Sequence, residues 1–144
     1  MAMLHADFAE AFAPFHKSAL VAVTTEQNTG YLAIASYQRI AILIHALVVT
    51  TTLNIDIEIG TSAAGANAHT LKSATQRVAA DDNKLIVFDI RPDELSNPSG
   101  TAIREFTHLN VEVTPDGAAT VSVIVLGIPA YAPADQTLWA EAVS

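Results

Sequence analysis

The chain has no cysteine among its 144 residues, so disulfide staples, thiolate metal sites and cysteine nucleophiles are excluded and the fold must hold by packing. Positive charge is scarce too: seven Lys and Arg stand against fifteen Asp and Glu, giving a net charge of -8 at pH 7. Phosphate recognition needs clustered Lys and Arg, and these are scattered, so no nucleic-acid partner is expected. Long apolar runs are also missing. The longest, residues 40–49, falls well short of the roughly 20 residues of a spanning helix and is interrupted by His45, so no membrane partner is expected either. The opening "MAMLHADFAEAFAPFHK" lacks the basic start and unbroken apolar stretch of a secretion signal, which implies synthesis and retention in the cytoplasm.

What is present is aliphatic. Hydrophobic residues make up 51% of the chain and charged residues 15%, a balance that requires efficient burial or cover from partner chains. The length fits one domain. Residues 1–18 read as an N-terminal arm or short helix, 19–134 as a β domain and 135–144 as a tail. In the first segment, Phe8, Phe12 and Phe15 are spaced four and three apart, on one side of a short helix that Pro14 should end.

From Ala19 the texture is β. "ALVAVTTEQ" and "YLAIASY" flank "NTG", whose Asn28 and Gly30 suit left-handed turn positions, so a hairpin or irregular turn is expected there. "RIAILIHALVVTTTLNIDIEIG" is too long for one strand and splits near residues 50–52. Residues 40–49 are apolar on both sides, as for a central strand covered twice. In 53–59, Leu53, Ile55, Ile57 and Ile59 alternate with Asn54, Asp56 and Glu58, as for a strand with one wet side. "GTSAAGANAHT" is a small-residue loop without a bulky anchor. Strands follow at about 71–78, 84–90 and 103–113, the last ending in the turn signature "TPDG", and a final strong strand is "AATVSVIVLGI". Seven or eight strands without regular βα alternation predict an all-β fold, an antiparallel β-sandwich with jelly-roll topology.

Candidate chemistry is thin. Asn54, Asp56 and Glu58 share one strand face, and His108, Asn110 and Glu112 repeat the pattern; if the two strands were neighbours, carboxylates and a histidine could converge on a cation. Alternating polar residues are also what any half-exposed strand shows, and no acidic calcium loop accompanies them, so no metal is assigned. Among His5, His16, His45, His69 and His108 no pair has a metal-binding spacing, and His45, in its apolar run, reads as a hydrogen-bonded core or interface residue. No GxSxG elbow or P-loop is present. "RPDEL" reads as a solvated loop in which Asp93 or Glu94 caps a turn or pairs with Arg91. The chain is therefore expected to be no enzyme and to use no cofactor.

"GYLAIASYQRIAILIHA" at 30–46, "KLIVFDIRPDEL" at 84–95 and "VSVIVLGIPAYAPA" at 121–134 together resemble a family of small structural proteins of tailed bacteriophages. The resemblance implies a capsid decoration or cement protein that sits on the virion surface, binds the major capsid protein and pairs with itself as a dimer or trimer. Ala130 stands where the pattern has a basic residue before Tyr131. Under this reading the aromatic ends, Phe8, Phe12 and Phe15 with Tyr131 and Trp139, are the expected interface anchors. A neck, tail or spike component would use the same domain. A carbohydrate-binding sandwich would need an aromatic shelf, which 6% aromatic content does not favour.

Overall fold

The structure, a computed structural model, describes residues 11–95 and 106–130. Among the described residues ten strands run in chain order: β1 (Ala13–Val23), β2 (Gln27–Asn28), β3 (Leu32–Ala33), β4 (Tyr37–Val49), β5 (Thr52–Gly60), β6 (His69–Ser73), β7 (Arg77–Val78), β8 (Lys84–Ile90), β9 (His108–Asp116) and β10 (Ala119–Pro129). They form two antiparallel sheets. Sheet A has the order β1-β10-β4-β8; in sheet B, β9 and β5 lie at the centre, β2 and β3 line the free side of β9, and β6 and β7 line the free side of β5.

The pairings define the topology. Taking β2 with β3, and β6 with β7, as single positions leaves eight. The first pairs with the eighth, the second with the seventh, the third with the sixth and the fourth with the fifth. That is one long antiparallel ribbon folded over on itself, closed by the β10–β4 and β5–β9 ladders. The fold is the expected β-sandwich, with jelly-roll winding.

The core is the space between the sheets. Ile42 and Ile44 of β4, Leu53, Ile55, Ile57 and Ile59 of β5, Leu109, Val111 and Val113 of β9 and Val121, Val123 and Val125 of β10 are each at most 1% exposed. Their period of two matches the pleat, and β-branched side chains suit it because they pack with little loss of rotamer freedom. Fully burying one such side chain is worth about 1.5–3 kcal/mol, so the aliphatic alternation alone accounts for a cohesive interior.

Local expectations fare differently. The break between β4 and β5 falls at residues 50–51, and β8 spans 84–90 as read. Strand β1 starts at Ala13, so Phe15 lies in a strand, not in the predicted helix. It sits at a bulge, between the pairs Pro14↔Leu126 and His16↔Val125, which accommodates Pro14 at a sheet edge. No hairpin forms around "NTG". Instead β2 and β3 both pair with β9, as two pieces of one edge interrupted by Gly30 at φ +78°. The strand expected at 71–78 is likewise two pieces, β6 and β7, both on β5.

Two tyrosines use glycine to approach the backbone. Tyr37 lies against Gly127, where a Cβ would collide with its ring, and Phe15 stacks on Tyr37 with centroids 4.4 Å apart and planes 13° from parallel. Tyr31 lies against Gly60 and Gly65, the latter at φ +72°. The loop after β5 therefore has a bulky anchor after all, supplied from the β2–β3 segment. It is closed further by hydrogen bonds from Thr61 N and Thr61 Oγ1 to the Ala66 carbonyl, at 2.9 and 3.1 Å.

Candidate assembly surface

Each sheet has an outer face, and the two are chemically unlike. On sheet B, Asn54, Asp56 and Glu58 of β5 lie opposite Thr114, Glu112 and Asn110 of β9, so the two polar strand faces seen in the sequence are indeed neighbours. The groups are bound to each other. Glu58 Oε2 accepts from the Tyr31 hydroxyl at 2.9 Å and from Asn110 Nδ2 at 3.0 Å. Asn110, only 2% exposed, also donates to Asn28 Oδ1 at 2.6 Å, and Asn28 Nδ2 donates to Glu26 at 2.8 Å. Partial burial and the Glu58 carboxylate push Tyr31 up to about 12. Glu112 is raised by burial and by the neighbouring Glu26, Glu58 and Asp56.

Such a surface repels anions, and its Tyr31, Glu58, Asn110 and Asn28 side chains bond to one another. Among the described residues no three His, Asp or Glu side chains are placed to hold a metal ion.

Sheet A presents the opposite. Its register puts Ile124 of β10, Leu43 of β4 and Val87 of β8 in one row across the outer face, with Ser122, His45 and Leu85 in the next. Leu85 is 67% exposed, Val87 61% and Ile124 39%, while Leu43 is half-buried. The strand at 40–49 was expected to be covered twice; within the protomer it is covered once, and its second face is open. Charge on this face is low: Lys17 of β1 is exposed opposite Ile124 at the end of the row, and the remaining charges are compensated. Arg39 and Asp89 form a bidentate pair at 2.8 and 2.6 Å, and the guanidinium holds the Asp89 carboxyl below its usual range. His45 is not in the core: it lies on this face, 2.7 Å from Asn83 Oδ1.

Beside β1, where the sheets meet, a cleft of about 70 Å³ is lined by His16, Ser18, Leu20, Gln27, Asn28 and Thr29 with Val111 and Val123. His16 Nε2 is buried there without a hydrogen-bond partner, and burial lowers its affinity for a proton.

No family model matches the chain, and no curated protein matches it. Solved structures similar to it include the SPBc2 prophage-derived protein YomS, at 14% identity and a TM-score of 0.41, covering 78% of this chain and 94% of that one. Bacillus endospore appendage pili match at 11% identity and 0.44, over 84% of this chain and 91% of that one. The infectious bursal disease virus Gx strain matches at 13% identity and 0.43, over 86% of this chain but 33% of that one. At these scores the likenesses carry no function across.

Of the anchors expected from sequence, Phe8, Tyr131 and Trp139 lie outside the described residues. Phe12 precedes β1 and is half-buried; Phe15 is engaged by Tyr37 and packs against the core of its own protomer. The structure thus brings Phe15 to Tyr37. In "RPDEL", Glu94 caps the turn by accepting from Arg91 N at 2.8 Å and pairs with Lys72 at 2.8 Å. Sequence reading missed Leu85 and Val87. "KLIVFDI" is apolar at both parities, so nothing in it distinguishes the side that meets the core from the side left open.

Proposed function

We propose that the chain is a non-enzymatic structural protein of a bacteriophage virion, a decoration or cement protein that docks on the major capsid lattice through the outer face of sheet A. The observation that supports this reading is the exposed row Ile124, Leu43 and Val87 with Leu85 beside it, a contiguous aliphatic strip on a chain that otherwise carries excess negative charge. Apolar cover there gains about 25 cal/mol per Å², small at one site and large when repeated over a lattice. The polar face of sheet B then faces water, where its carboxylates oppose clumping.

Electron microscopy of particles assembled with and without the chain tests this reading. Regular density at many equivalent lattice positions is expected. A few copies at one vertex would move the chain to the neck, tail or spike, and particles without it that are unchanged in density and stability would remove the role.

A further inference from the structure

We propose that β8 is a self-pairing edge: in two copies, residues 84–88 run antiparallel, with Leu85 opposite Val87 of the second copy. The inference deepens the assembly reading and rests on it, since pairing at β8 extends the outer face of sheet A through which that reading docks the chain.

Edge strands expose unpaired N–H and C=O groups, and proteins ordinarily guard them with bulges, prolines, charges or brevity. Among the described residues, every other edge is guarded. On the far side of sheet A, β1 carries Pro14, two register shifts and Ala22 at φ +49°. On sheet B, β2, β3 and β7 are two residues each, and β6 has five residues and a register shift. Strand β8 has seven residues in unbroken register with β4, without proline, and its two outward aliphatic side chains are the most exposed large hydrophobics in any regular ladder among the described residues.

One end of β8 is occupied, which fixes the register. Lys72 Nζ, reaching over from sheet B, donates to the Asp89 carbonyl at 2.5 Å. That carbonyl therefore points away from β4. Alternation along the strand gives Leu85 and Val87 the same direction, so their amides and carbonyls are the ones offered at the edge. A pairing centred on Val87 would need the Asp89 carbonyl; one centred on Ile86 needs only Leu85 and Val87, which then face each other as hydrogen-bonded partners.

The occupant is a second copy because this segment is complementary to itself. A two-fold axis through Ile86 sets the exposed Leu85 against the exposed Val87 twice, the isologous contact of a dimer. Charge allows it: Lys84 is paired with Asp81 at 2.9 Å and Asp89 with Arg39, so two copies of an acidic protein meet where each is locally neutral. Pairing lies in the plane of sheet A and joins both outer faces into one longer apolar strip.

The test uses the isolated full chain, so its failure leaves particle binding untouched. Sedimentation over a concentration series should move from one chain toward two, and Val87→Lys, with its fold checked by thermal melting, should lose that shift. Because the chain has no cysteine, Leu85→Cys mixed with Val87→Cys reports the register directly. A hydrogen-bonded antiparallel pair has Cα atoms about 5.5 Å apart, within disulfide reach. The mixed disulfide should form faster than either variant dimerises alone. A monomer at every concentration, a dimer that survives Val87→Lys, or Val87→Cys alone cross-linking as readily as the mixture would overturn the proposal.

Discussion

The outer faces of the two sheets are both built on long central strands, yet one is knitted by polar side chains and the other is left apolar. On sheet B a chain of polar side chains spends its hydrogen bonds on its neighbours, from Tyr31 through Glu58 and Asn110 to Asn28 and Glu26. On sheet A the outward row Ile124, Leu43 and Val87, with Leu85 beside it, is aliphatic and lies outside the protomer's buried core. A polar face knitted within the protomer serves stability; on the proposal above, the face left apolar serves association. The same β-branched composition does both, depending only on strand parity.

Substitutions can break this contrast from either side. The largest effect belongs to the shared interior: Ile57→Ala, at a position 0% exposed, should cost about 2–5 kcal/mol in denaturant unfolding, because it removes buried methyls and leaves a cavity. Next comes the sheet B network, where Asn110→Ala strands Glu58 and Asn28 and should cost about 1–3 kcal/mol by the same measurement. Tyr31→Phe, which removes a single donor, should cost about 0.5–1.5 kcal/mol. Smallest is sheet A: Ile124→Ser should change unfolding free energy by no more than about 0.5 kcal/mol while weakening particle binding. A destabilisation there as large as that of Asn110→Ala would mean the face is structural after all.

The seam between the sheets adds a pH dependence. Folding buries His16 and lowers its proton affinity, so above an ordinary histidine value of about 6.5 the ring is neutral in both states and adds no pH dependence. As pH falls through that value the unfolded chain takes up a proton that the folded chain resists, and stability is lost. His16→Leu should flatten this acid limb of the stability profile, and an unchanged limb would place the loss elsewhere.

Much of the fold was legible because alternation is a direct record of burial: "LNIDIEIG" announces a strand with one dry side, and β5 is that strand. Its pairing with the "HLNVEV" face could be posed from sequence but not decided, since register depends on partners far along the chain. The turn around "NTG" misled because local turn chemistry was satisfied at Gly30 while β9 supplied the ladder for both flanks. The open apolar face of sheet A was least visible. Where apolar residues occupy both parities, as in "KLIVFDI", sequence reports that two faces want cover but not that only one receives it within the protomer.

The most direct measurement is side-chain footprinting of the chain alone and bound to assembled particles. Oxidative labelling of Leu85, Val87 and Ile124 should fall on assembly while that of Tyr31 and its sheet B neighbours stays level. Unchanged labelling of the sheet A strip, or protection confined to sheet B, would contradict the account.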